Sequence, residues 1–271
     1  MGGTLVSYVG GRLGNNLFNI ATGYYYANKT GRDFKIHVVN SHWKKYYDTY
    51  ERFHLFENVN GPFIGYKVYC EDRKYNFKEI PMFSEDNVIL DGSFESEGYF
   101  PDRKLIDNLF KCPDDMEKKI KEKYPDIENT VGISIRRGDY LAFRNLFLVP
   151  KTQWYLDCYE KYFPGKKVIV FSDDINYCKR FIGDRKDFTF YDNKHSFDQY
   201  MIQDPIENIY TMALCGNHIC SCSTWSWWGA RLCEKDGAIN IFQDKKFTDS
   251  CGIRDDWYIP ERWIKEKASY E

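Results

Sequence analysis

The order of apolar and polar positions divides the chain into two regimes. It opens on a short apolar run, Thr4 to Val9, followed by Gly10-Gly11-Arg12-Leu13-Gly14-Asn15. Behind the glycines, Leu17, Ile20, Ala21, Tyr24 and Ala27 recur at three- and four-residue spacing, the period of a helix with one buried stripe. Phe34 to Val39 reads as a second strand, so the beginning is strand, glycine loop, helix, strand. Residues 40–87 are aromatic and charged without either period, and they predict no element. Val88 to Leu90 is a short strand, then a loop runs from Asp91 to Phe100 and two polar helices end at Lys123. Tyr124-Pro125-Asp126 breaks the pattern and sets an expected domain boundary, 1–124 and 125–271.

The second half is regular. Val131 to Ile135, Val168 to Phe171, Phe188 to Tyr191, His218 to Cys222 and Ala238 to Phe242 read as strands. Between them fall helices at Lys151 to Phe163, after Ser172-Asp173-Asp174, from Pro205 through Ala213, and from Trp225 to Leu232. Strands alternating with helices at these lengths predict a parallel, doubly wound α/β sheet. Ligands of such sheets bind beyond the carboxyl ends of the strands, so the loops there are where chemistry is to be sought.

Composition narrows the classes. The chain has 271 residues, 43% hydrophobic, with a formal net charge of −2, which supports a real core and argues against a general nucleic-acid binder. Nine cysteines follow no framework spacing; Cys220 and Cys222 form a lone C-x-C, His195 and His218 are isolated, and buried reduced thiols are expected. No apolar run reaches the roughly 18–20 residues a membrane helix needs. Residues 1–16 lack the basic and apolar regions of a signal peptide, so a cytoplasmic location is expected.

Three loops after strands carry candidate chemistry. Gly11, Arg12, Gly14 and Asn15 open a helix whose N-terminus favours anions, but the spacing is no dinucleotide fingerprint and lacks the phosphate-loop lysine. Arg136 and Arg137 leave a strand together, where one can clamp a diphosphate and the other support the loop or pair with Asp139. Ser221, Ser223, Thr224 and Ser226 offer more hydroxyls than capping one helix requires, and Trp225, Trp227 and Trp228 are most simply core. Asp173 and Asp174 form a carboxylate pair at a strand end. No D-x-D occurs, which favours a metal-free mechanism, with charge on a departing diphosphate met by arginine and amides.

The set Gly11-Arg12-Leu13-Gly14-Asn15, Leu90 to Phe100, Ile135-Arg136-Arg137-Gly138-Asp139-Tyr140, Phe171 to Asp174 and Ser223 to Ala230 resembles the α-1,2-fucosyltransferases of glycosyltransferase family 11. The resemblance implies two Rossmann-like domains facing across a cleft, the GT-B arrangement, with an acceptor-side first domain and a donor domain second. It implies an inverting, metal-independent transfer of L-fucose from GDP-fucose to a glycan hydroxyl, commonly the 2-hydroxyl of a galactose-like sugar, with no cofactor. Arg136 then grips the diphosphate, Asn15 lies near the donor sugar, Asp173 reads the guanine edge, and Ser223, Thr224, Trp225 and Ser226 lie beneath the phosphates.

The sequence also departs from the family pattern. Ser134 stands where the family has a histidine that helps recognise the base. Ser93 and Glu95 replace a usual Tyr and Gln in the acceptor-side loop. Asp139 is the first candidate general base and Glu95 its rival. Ser134 keeps open a different nucleotide sugar as donor. A non-catalytic binding module is the remaining alternative.

Overall fold

The computed structural model describes residues 2–39, 51–72, 77–191 and 205–271. His195 lies outside the described residues. The chain divides into two units, Met1–Phe110 with Arg254–Pro260, and Lys111–Ile253 with Glu261–Glu271. The division falls ahead of Tyr124 because the helix Asp114–Lys123 packs on the helix Pro205–Ala213 of the second unit.

The first unit is a five-stranded, wholly parallel sheet. In chain order its strands are β1 (Thr4–Val9), β2 (Asp33–Val38), β3 (Glu57–Asn58), β4 (Lys67–Cys70) and β5 (Val88–Asp91), and in space they run β3-β2-β1-β5-β4. The helix Leu13–Thr30 returns from β1 to β2 and ends at Gly31, whose left-handed φ of 66° lets its N–H reach the carbonyls of Ala27 and Asn28. A Cβ at Gly23 would fall 2.0 Å from Ser7 Oγ, so only glycine lets this helix lie so close on β1. β3 and β4 arise where the periodicity predicts nothing. Both are edge strands, short and largely exposed, and so carry no apolar alternation to read.

The second unit is a six-stranded parallel sheet. Its strands are β6 (Val131–Ile135), β7 (Val168–Ser172), β8 (Phe188–Phe190), β9 (Asn217–Cys220), β10 (Asn240–Gln243) and β11 (Ile264–Glu266), in the spatial order β11-β10-β9-β6-β7-β8. β6 and β7 are buried at every position, as strands covered on both faces must be. β11 extends the sheet beyond the strand expected to be last; its Lys265 and Glu266 gave no apolar signal. Trp227 and Trp228 are fully buried and meet edge to face at 5.0 Å, with Trp227 also against Trp263. The double tryptophan is core.

Strand order places the chemistry. In the second sheet the first strand, β6, has β7 on one side and β9 on the other, so chain direction reverses between β6 and β9. In the first sheet β1 lies between β2 and β5 in the same way. The loops leaving β6 and β9, and those leaving β1 and β5, flank the two crevices where such sheets take ligands.

Candidate functional site

At the β6/β9 switch point Arg136 leaves the sheet. Its Nη1 lies 2.8 Å from Asp173 Oδ2, its Nη2 donates to Asp139 Oδ1, and its guanidinium stands 5.3 Å from the centre of the Tyr140 ring. Its backbone N–H donates to Ser221 Oγ at 3.1 Å, tying the β6 and β9 loops together. Burial works against the Arg136 charge, but Asp173 and Asp139 outweigh it and hold its pKa above the usual value. Burial pushes the Asp173 carboxyl up against the pull of Arg136. Arg136 Nε is buried and has no hydrogen-bond partner among the described residues. A charged donor left unmatched inside a strand-end crevice suits an anionic ligand.

Arg137 goes the other way. Its guanidinium lies 3.4 Å over the Tyr177 ring, pairs with Glu271 and stands 3.6 Å from Asp174. It is 7% exposed and braces the loop from behind. Asp173 has both oxygens engaged: Oδ2 by Arg136 and Oδ1 by the Arg137 backbone N–H at 2.9 Å. Asp174 caps the helix Ile175–Ile182 by accepting from Tyr177 N–H. The carboxylate pair therefore shapes the arginine loop and the next helix in this structure.

Gly138 is what allows this close fit. A Cβ there would stand 2.3 Å from Asp173 Oδ2. Gly138→Ala must displace the carboxylate from Arg136, so we expect it to lose about 1–3 kcal/mol of stability in chemical denaturation. An unchanged denaturation midpoint would show that Asp173 moves aside freely.

The hydroxyl-rich loop after β9 has distinct tasks. Ser223 is the N-cap of the helix Thr224–Arg231 and accepts from Ser226 N–H at 3.1 Å. Ser226 Oγ joins Ser223 Oγ at 2.6 Å and Ser134 Oγ at 2.7 Å, a chain of three buried hydroxyls. Ser134 thus faces the helix start, with its hydroxyl bonded within the protein. Ser221 Oγ bonds both ends of the β6 exit, accepting from Arg136 N–H and donating to Ser134 O at 3.2 Å. Thr224 and Trp225 are half-buried at the first helical turn. Trp225 packs 6.0 Å from Phe171, and its Nε1 is buried without a hydrogen-bond partner among the described residues.

The β1/β5 switch point carries the other group. Gly11 adopts φ of 82°, and Asn15 folds over it: a Cβ at Gly11 would meet Asn15 Nδ2 at 2.9 Å. Arg12 is the N-cap of the helix Leu13–Thr30 and makes no side-chain cap bond. Gly14 is buried in the first turn. Asn19 Nδ2 donates to Tyr8 O at 2.6 Å and to Gly92 O at 2.9 Å, joining the ends of β1 and β5. Glu95 follows β5 and is 9% exposed. Sequence reading missed Asn19, Glu71 and the seating of Arg136 on Tyr140. Asn19 reads as one more polar residue on a helix, and Glu71 lies in the stretch without period.

The nine cysteines are all free. No group of three His, Cys, Asp or Glu suited to a metal ion occurs among the described residues, and no helix there is long and apolar enough to cross a membrane.

Comparison with known proteins places these features in a family. An α-1,2-colitosyltransferase of Escherichia coli is 25% identical over 96% of this chain and 98% of its own length. The O-antigen biosynthesis glycosyltransferase WbnK of Escherichia coli is 30% identical over 54% of this chain, about half of that relative. Among solved structures, the α-1,6-fucosyltransferase NodZ of Bradyrhizobium, co-crystallised with GDP, matches with a TM-score of 0.54 at 16% identity, over 88% of this chain and 96% of the other. The expected α/β fold of the GT-B type is thus the fold found. The family model for glycosyl transferase family 11 matches residues 92–266, which contain the Arg136 cluster and the hydroxyl-rich loop, and the chain belongs to that family of glycosyltransferases.

Proposed function

We propose that this glycosyltransferase moves L-fucose from GDP-fucose to a glycan hydroxyl, with inversion at the anomeric carbon and without a metal ion. The observation that carries the reading is Arg136, a half-buried guanidinium with a buried, unmatched Nε at the carboxyl end of β6. The acceptor oxygen forms its bond to C1 as the bond from C1 to the diphosphate oxygen breaks, and the acceptor proton passes to a carboxylate. Arg136 meets the negative charge that develops on the leaving diphosphate, and the start of the helix Thr224–Arg231 adds its positive dipole end. GDP is the nucleotide in the NodZ crystals, which supports a guanine donor. A 2-hydroxyl of a galactose-like sugar is the acceptor we favour, in keeping with the α-1,2 linkage named for the full-length relative.

Asp139 and Glu95 are not equivalent candidates for the base. Asp139 Oδ1 already accepts from Arg136 Nη2, so this carboxylate is engaged in holding the guanidinium. We therefore assign Asp139 to orienting Arg136 and Glu95 to the proton.

Calorimetric titration with GDP, UDP, ADP and CMP, first without metal and then with magnesium, tests the donor. Metal-independent binding of GDP alone is expected. Preference for another nucleotide would mean that the phosphate clamp is kept while the base site differs, as Ser134 in the place of a histidine allows. Turnover is then compared between GDP-fucose and GDP-colitose, whose sugar lacks the 3-hydroxyl of fucose. Faster transfer of colitose would move the donor to that of the full-length relative.

A further inference from the structure

The first unit holds a carboxylate that the transfer reaction as described does not use. Glu71 follows β4 and is 7% exposed. Its Oε2 accepts from two consecutive backbone N–H groups, Ser93 at 2.6 Å and Phe94 at 2.8 Å. The Tyr99 hydroxyl lies close to this carboxylate, and its oxygen accepts from Lys78 N–H at 3.4 Å. Glu71 N–H donates to Asp91 O at 2.8 Å, so the residue is fixed to the end of β5 at both backbone and side chain. Gly92 makes room: a Cβ there would lie 2.5 Å from Glu71 Cβ.

Consecutive amides turned toward one anion form a nest, and here the anion is the protein's own side chain. The arrangement is costly in two ways. A carboxylate taken out of water needs its bonds to compensate the lost hydration. Phe94, fully buried and edge-on to Tyr99 at 5.2 Å, is held at φ of 48°, a conformation that costs a non-glycine residue on the order of 1–3 kcal/mol. Such strain persists where the surroundings fix it, and the residue that follows Phe94 is Glu95.

We propose that Glu71 is a positioning residue for Glu95, fixing the turn 92–94 that delivers it. The proposal rests on the reading of Glu95 as the group that takes the acceptor proton. Burial raises the Glu71 carboxyl above its ordinary value. The folded chain therefore holds this proton more tightly than the unfolded one, which favours the fold at acid pH and is lost as pH rises through the raised value. Glu71→Gln cannot ionise, so its melting temperature rises relative to the wild type on going from acid to neutral pH. A role confined to stability would leave turnover per folded molecule untouched.

The test compares Glu71→Gln and Glu71→Ala in the full chain. Misplacing a reacting group by about 1 Å costs on the order of 100-fold, so kcat is expected to fall by roughly 10- to 100-fold in Glu71→Ala with GDP affinity unchanged. Glu71→Gln, which keeps one acceptor oxygen for the nest, recovers part of the loss. The Ser93 and Phe94 amides exchange faster with solvent in Glu71→Ala. Unchanged kcat and acceptor KM in that variant overturn the proposal, and so does a loss of GDP affinity that parallels the loss of kcat. A wild-type chain that binds no GDP overturns the donor assignment instead, and amide exchange then decides whether Glu71 holds the turn.

Discussion

Replacing Arg136 by lysine is expected to lower turnover by roughly 100- to 1,000-fold in a protein that still folds. The guanidinium bridges Asp139 and Asp173 through separate nitrogens and leaves Nε over. An ammonium keeps the charge between two carboxylates but has no planar fork with which to hold both and a ligand as well. Alanine is the harsher change. It strands Asp173, a carboxyl already raised by burial, beside Asp139 with no counter-charge, and breaking such a pair costs about 3–5 kcal/mol. Lysine therefore separates loss of function from loss of fold. Steady-state kinetics and GDP titration on the same preparation measure it. Near wild-type turnover from the lysine variant would show that charge alone suffices at this position.

The second large effect distinguishes two carboxylates. Glu95→Gln is expected to reduce transfer by about 100- to 10,000-fold, the contribution of a positioned base, while GDP binds as before. Asp139→Asn is expected to act through Arg136, weakening GDP binding together with turnover, because an amide holds the guanidinium less firmly than a carboxylate. Slow hydrolysis of the donor without acceptor should persist in Glu95→Gln. The reverse pattern, with donor affinity intact in Asp139→Asn and transfer lost, would return the base to Asp139.

These expectations depend on contacts that the sequence shows unevenly. Reading along the chain puts Asp139 ahead of Glu95 as base, since the motif sets it at the expected cleft beside the arginines. The same proximity, seen as an ion pair, argues the other way. Asp173 and Asp174 read as a carboxylate pair at a strand end; in the structure one is bonded to Arg136 and to the Arg137 backbone, and the other caps a helix. The four hydroxyls after β9 read as surplus over one cap; two of them instead stitch β6 to β9 and to the helix that follows. The residue types alone do not distinguish the two arginines, and the family resemblance points to Arg136; Arg137 lies over Tyr177.

Periodicity alone determined the strand–helix alternation of the second unit, its parallel sheet and the opening of the first. The buried strands and one-faced helices carry their apolar positions at fixed intervals, and these are local properties of the chain. The glycines at 11 and 138 and the arginines at 136 and 137 were visible as residue types in the right loops. Three of the four edge strands, β3, β4 and β11, were not visible because none of their side chains is fully buried, whereas the edge strand β8 buries Phe188 and was. Only the tertiary structure decided the partners: Asp173 for Arg136, Ser226 for Ser134, Glu71 for the amides of Ser93 and Phe94. Each joins residues far apart in sequence, and a pairing energy between distant groups leaves no period in the chain that forms it.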